Sequence, residues 1–533
     1  MKPKRLSSLL SLCLAAVLLL SGCAEKAAPP PAETDAPPEP VQTAPAPEPA
    51  VSPEDAIRPL EVRRYLLTPQ GVDGVGPYRE YYHFRSRLVS GDLSGDPALA
   101  YSLTFGNLTE FAGELPQGYD PQALLEWGKA PGLNVDVLHE HGFTGKGAVV
   151  AYVDQPIGEH EQFEGMALHY TDPGGSDASM HGSAVLSLLA GKDTGTAPEA
   201  EVYYYAYTGL DETHESRADC LYQIIEKNKS LPEGEKITMV GCSFNLNPYA
   251  DKELKEAVAA CGEAGIMVWF CAEYKPGAFL PFSDKNDPRS IVIDKWGLDT
   301  GGGGELVYVP DAGRTTAGDD GADHYTFWAF NGGLSWTMPY MLGLYAIANE
   351  IDPSLTQDGL RELVVDTAYH ETGLPVINPV GFIAAVLDGA DRGAEAEALR
   401  QDAASRERYL YAVLDPTAMS EADLTAIGGY LAAVTSAQVL AVDARAFSGA
   451  EDLSAALQAD AAQRGGTIAG VQLFGPLDWD LEQLPQPTAH LSLAEGGYQN
   501  FFTQYKAGTA EDAVFPPNPA WALFNSSAQI PLG

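Results

Sequence analysis

Basic residues are scarce in this chain. Lys and Arg number 32 against 73 Asp and Glu in 533 residues, a formal net charge of −41. A surface this acidic repels phosphate backbones, which argues against a nucleic-acid binder. Cysteine is scarce as well, with six in all and no C-x-x-C arrangement among them. None lies beyond Cys271, so a cysteine nucleophile in the C-terminal part is excluded. The glycine run at 301–304 is followed by no Lys-Ser/Thr pair, so it reads as a flexible loop and not as a phosphate cradle. Long apolar runs are missing too. The most apolar stretch, near the N-terminus, is too short and wrongly flanked for a stable membrane span. No internal repeat is evident.

That N-terminal stretch, "MKPKRLSSLLSLCLAAVLLLSGC", has a basic start and an apolar centre. It ends at "LSGC", which resembles a bacterial lipobox. The resemblance implies a signal segment over 1–23, with Cys23 lipidated and anchored on the extracytoplasmic face of the cell membrane. Residues 24–55 are rich in proline, alanine and acids and lack apolar bulk, so a disordered tether is expected. Cys220, Cys242, Cys261 and Cys271 remain for the folded part. Free buried thiols are expected there, with one or two disulfides as the alternative.

From about 131 the pattern alternates. "GAVVAYVD" (147–154), "EVYYYAY" (201–207), "ITMVGCSF" (237–244) and "GIMVWFCA" (265–272) are continuous apolar runs separated by helical spacings. Such runs predict a doubly wound, mostly parallel α/β sheet covered on both faces, with its active site beyond the carboxyl ends of the strands. A helix is expected over 352–368, starting near Ser354. Residues 131–390 would form this domain. A helical linker follows at 391–407, then a smaller α/β unit at 408–533 with an irregular tail. Residues 56–130 read as an accessory or pro-like segment, with "LAYSLTFGN" (99–107) among its expected strands.

Three residues fall where side chains from such a sheet converge. Asp154 ends one strand, His181 opens a helix, and Ser335 opens the helix "GGLSWTMPYMLGLYAIA" (332–348). Singly, each has an ordinary alternative: a strand end, a cap, an N-cap. Together they supply what acyl transfer needs. A serine hydroxyl is a weak nucleophile until a base takes its proton. A neutral imidazole is such a base near pH 7. A carboxylate fixes the imidazole tautomer and stabilises the imidazolium. His160 and His169 read as packing or surface residues, and "DDGADH" (319–324) as a solvated turn without the spacing of a calcium loop.

The order Asp, His, Ser is that of the subtilisins. "TGKGAVVAYVDQPIGEHEQFEG", "MHGSAVLSLLAGKDTGTAPEAEVYYYAY" and "GGLSWTMPYMLGLYA" resemble the Asp, His and Ser blocks of the subtilase family. The resemblance runs from about 131 to 389. It implies a subtilisin-like fold and a serine endopeptidase acting on peptides or proteins through Asp154, His181 and Ser335. It implies no organic cofactor and no metal in the chemistry; a structural calcium enters by resemblance only. Ser243, Phe244 and Asn245 would wall the substrate cleft. The family's oxyanion asparagine is replaced, with Glu273 or Tyr274 at its place in "FCAEY". Tyr274, Asn245 and Asn247 are therefore the candidate substitute donors, since an ionised Glu273 would repel the oxyanion. The alternative is a catalytically silent surface lipoprotein that keeps the fold as a binding module. A third reading gives the main role to the C-terminal unit.

Overall fold

The computed structural model describes residues 51–53, 55–60, 62–66, 88–172, 177–207, 214–246, 252–292, 306–330, 332–370, 374–434, 437–494, 496–518, 520, 524–528 and 530. The signal segment, nearly all of the expected tether, the glycine run at 301–304 and Asn247 lie outside them. Everything described below belongs to one unit, Ala50–Gly533.

The N-terminal part is short elements: β1 (Ile57–Pro59), β2 (Val62–Leu66), β3 (Leu88–Val89), α1 (Pro97–Ser102), β4 (Phe105–Gly106), β5 (Glu110–Phe111), α2 (Pro121–Lys129) and α3 (Val135–Glu140). Of the expected strand at 99–107, residues 99–102 are helix and Phe105–Gly106 is strand. Asp96 caps the helix by accepting from the Leu99 N–H, and Pro97 sits at its first turn, a start signal that outweighs the β-prone residues after it.

The central sheet comes next. Its elements are β6 (Val149–Asp154), β7 (Leu168–Thr171), α4 (Met180–Ala190), β8 (Glu201–Ala206), α5 (His214–Ser230), β9 (Met239–Cys242), α6 (Lys252–Glu263) and β10 (Met267–Phe270). The strand order is β10-β9-β6-β8-β7, parallel throughout. All six residues of β6 are buried, as a strand covered on both faces requires. Its side chains alternate between two cores. Val150 and Tyr152 pack with α4, while Val149, Ala151 and Val153 pack with α5 and α6.

Strands β11 (Lys275–Phe279), β12 (Ile291–Val292), β13 (Tyr308–Ala312), β14 (Arg314–Ala317) and β15 (Tyr325–Trp328) lead into α7 (Leu334–Ile351), α8 (Gln357–Asp366), α9 (Pro379–Gly389) and α10 (Gly393–Arg406). α7 joins the core on the α4 side. α8 starts later than expected, because Thr356 is its cap; Ser354 instead donates to Asp352 in the preceding turn. α10 occupies the expected linker and is tied to α3, with Arg406 on Glu140 at 2.6 Å.

The C-terminal unit holds β16 (Arg408–Leu414), α11 (Glu421–Ala433), β17 (Gln438–Asp443), α12 (Ala450–Arg464), β18 (Thr467–Phe474), β19 (Thr488–Leu491), α13 (Gly497–Lys506) and β20 (Phe524–Ala528). Its sheet order is β1-β17-β16-β18-β19, parallel except for β1. Three described strands of 56–130 pair with later parts of the chain. β1 edges the C-terminal sheet, β2 pairs with β20, and β4 pairs with β15. Among the described residues no helix is long and apolar enough to cross a membrane.

Candidate active site

β6 ends on Asp154 at the carboxyl edge of the central sheet, and the side chain is fully buried. α4 must start close by. Ser179 caps it, accepting from the His181 N–H at 3.1 Å and donating to Gln155. Gly182 makes the approach sterically feasible: a Cβ there would stand 2.2 Å from the Gln155 carbonyl oxygen. The result places His181 Nδ1 2.6 Å from Asp154 Oδ1. The Nδ1–H donates, which leaves Nε2 as the basic nitrogen of the neutral ring. Oδ1 also accepts from the Gln155 N–H at 2.7 Å. Burial disfavours the protonated imidazole, but the charge of Asp154 and its hydrogen bond outweigh burial, so the pKa of His181 lies above its ordinary 6.5.

Ser335 is the second residue of α7. The cap position belongs to Gly333, so the N-cap alternative for Ser335 does not hold. The glycine before it is also required, since a Cβ on Gly332 would meet the Asp311 carbonyl oxygen at 1.8 Å. Pro339 lies four residues after Ser335 inside the helix and has no N–H to give the Ser335 carbonyl. Ser243 supplies the missing donor. Its hydroxyl donates to the Ser335 carbonyl at 2.7 Å and accepts from the Tyr152 hydroxyl at 2.5 Å. In return, the Ser335 hydroxyl donates to the Ser243 carbonyl at 3.3 Å. The imidazole of His181 stands edge-on to the Trp336 ring, centroids 5.1 Å apart, so His181 and the serine-bearing turn are neighbours. Among the described residues no hydrogen bond joins Ser335 to His181.

The remaining sequence candidates separate clearly. Glu273 faces α8, where Arg361 Nη2 reaches it at 2.7 Å. Tyr274 is fully buried and its hydroxyl pairs with that of Tyr345 at 2.8 Å, so it is a core residue and no oxyanion donor. Asn245 is exposed, and its side-chain carbonyl accepts from the Cys271 thiol at 3.2 Å. Burial pushes that thiol up to about 12, so it stays protonated and keeps donating. The amide NH₂ of Asn245 is the donor left over. Phe244 is buried, edge-on to Tyr207 and Phe270 at 5.9 Å each. Cys220, Cys242, Cys261 and Cys271 are buried and free, so the disulfide alternative falls away. His160 is buried and bonded to the His324 carbonyl; His169 is exposed and pairs with Glu201. Sequence reading missed Tyr152, Ser179 and Cys271. Two signals pointed there: a tyrosine inside an apolar strand needs a partner for its hydroxyl, and a proline four residues after a serine leaves a carbonyl unpaired.

No family model and no curated protein matches the chain. Among solved structures it is similar to the prenylagaramide maturation protease PagA, at 16% identity and TM-score 0.34, over 47% of this chain and 98% of that one. It is similar to the PatG macrocyclase domain at 12% identity and TM-score 0.34, over 48% and 95%. It is also similar to MycP1, a serine protease and essential component of the type VII (ESX-1) secretion system, at 16% identity and TM-score 0.36, over 48% and 89%. At such scores the likeness carries no inference about this chain.

Proposed function

We propose that this chain is a serine endopeptidase held on the extracytoplasmic face of the membrane by lipid on Cys23. The observation that carries the reading is the 2.6 Å hydrogen bond between His181 and a buried Asp154, at the sheet edge where Ser335 opens a helix. Three ordered sequence blocks that resemble the subtilases support it. The basic start, apolar run and "LSGC" support the anchor.

The steps follow from the groups in place. A rotation about χ1 moves the Ser335 hydroxyl from the Ser243 carbonyl to His181 Nε2. Ser335 Oγ then attacks the peptide carbonyl carbon while Nε2 takes its proton. Asp154 holds the ring and stabilises the imidazolium. The oxyanion meets the Ser335 backbone N–H at the start of α7 and the NH₂ of Asn245. His181 returns the proton to the leaving amine, and water repeats the cycle on the acyl-enzyme.

One observation favours a silent binding lipoprotein instead: Glu273 and Tyr274, where the subtilase resemblance puts the oxyanion donor, are engaged by Arg361 and Tyr345. Peptide-library cleavage by the purified chain decides, with Ser335→Ala as control. Cleavage lost in Ser335→Ala supports the endopeptidase. Peptide binding without cleavage favours the silent reading.

A further inference from the structure

One cation beside the triad has no part in the steps above. Arg217, the fourth residue of α5, lays its guanidinium 4.6 Å from the Phe244 ring centroid and 4.8 Å from that of Tyr207. The two rings meet edge-on at 87° and make a corner for it. Both are tied to the proposed machinery. Phe244 follows Ser243, whose hydroxyl and carbonyl bracket Ser335. Tyr207 is held at the end of β6, its backbone N–H donating to the Asp154 carbonyl at 3.0 Å.

Arg217 is partly exposed, and its contacts among the described residues are the two aromatic rings. A guanidinium stacked on aromatic faces is fixed in orientation and still presents its N–H edge in the plane. That edge matches a carboxylate fork on fork. A lysine at this place would offer a point charge without the fork.

We propose that Arg217, cornered between Phe244 and Tyr207, forms a subsite for a carboxylate of the bound peptide. The inference rests on the peptidase reading for its substrate, but it concerns binding and not turnover. The carboxylate comes either from an Asp or Glu side chain or from a free peptide C-terminus. Both present the same chemistry, and a test separates them.

The Ser335→Ala chain is used to bind a random peptide library, synthesised once with free C-termini and once amidated. The expected result is enrichment of Asp and Glu over Asn and Gln at one position by about 10-fold or more, the scale of a charged hydrogen-bonded contact. Enrichment confined to the free-acid library assigns the subsite to the C-terminus. In either case it falls toward unity in Ser335→Ala/Arg217→Gln and weakens as salt is raised. The salt series needs no second variant, so the test stands even where Arg217→Gln folds poorly. No acidic or free-acid enrichment, or enrichment unchanged by salt and by Arg217→Gln, overturns the subsite. Labelling of wild-type Ser335 by a phosphonate separates the two readings. Labelling without enrichment leaves the peptidase and removes the subsite. Enrichment without labelling does the reverse.

Discussion

A single oxygen of Asp154 accepts from both His181 and the Gln155 N–H, so the carboxylate is held from its own strand end while it orients the His181 ring. Asp154→Asn keeps the shape and reverses the polarity facing Nδ1. Turnover is expected to fall by about 10⁴, the loss known for the same change in another triad, with little change in melting. An unchanged rate would remove Asp154 from the mechanism. The raised pKa of His181 sets two pH trends. The base must be neutral, so kcat/KM rises with pH through a value above 6.5. The stabilising ion pair runs the other way. Its contribution is complete below 6.5 and is lost as pH rises through the raised folded value. Imidazole NMR titration checks both, and Asp154→Asn should bring the titration down. For the oxyanion, Asn245→Ala should cost about 10²–10³ in kcat, the loss seen when one such donor is removed. Tyr274→Phe loses a core hydrogen bond and lowers stability without that signature in kcat. A kcat loss confined to Tyr274→Phe would reverse the assignment.

Strands and helices of the central sheet were legible because burial on both faces writes itself as unbroken apolar runs. β6, β8, β9 and β10 all fall within the runs read as strands. Positions 97–102 misled because side-chain preference was weighed over the Asp96 cap and Pro97. The meeting of Asp154 and His181 was legible from type and order. The brace around Ser335 was not, because it joins three distant elements: Tyr152 on β6, Ser243 past β9 and the first turn of α7. That brace has a consequence for α7. Ser243→Ala leaves the carbonyl freed by Pro339 without its hydroxyl donor, so the nucleophile turn loosens. The expected result is a drop in kcat of about 10-fold with KM little changed, and a loss of about 1 kcal/mol in stability. Equal kcat in Ser243→Ala and wild type would show that the brace does not position Ser335. α4 has a stricter requirement. Gly182→Ala must push the helix off the Gln155 backbone, at about 1–3 kcal/mol, and His181 moves with it. Its melting temperature and its kcat should fall together.

At the scale of the whole chain, β1, β2 and β4 pair with strands from later parts of the sequence, while β3 pairs with β5 inside its own segment. A pro-like segment that leaves on maturation would strip β1 from the C-terminal sheet and β4 from β15. Mass spectrometry of the mature protein should therefore find this segment retained, and deleting 51–60 should lower Tm. A mature N-terminus beyond 130 would contradict this. The proposed anchor is a separate matter and rests on the first residues of the sequence. Cys23→Ser should release the protein from the membrane fraction, and persistence there would place the anchor elsewhere. The central claim is that Asp154, His181 and Ser335 act as one unit. Its most direct measurement is labelling by an active-site phosphonate, located by peptide mass spectrometry. The account expects the adduct on Ser335, abolished in Ser335→Ala and strongly slowed in His181→Ala and Asp154→Asn. No adduct on Ser335, or one formed as fast without His181, would contradict it.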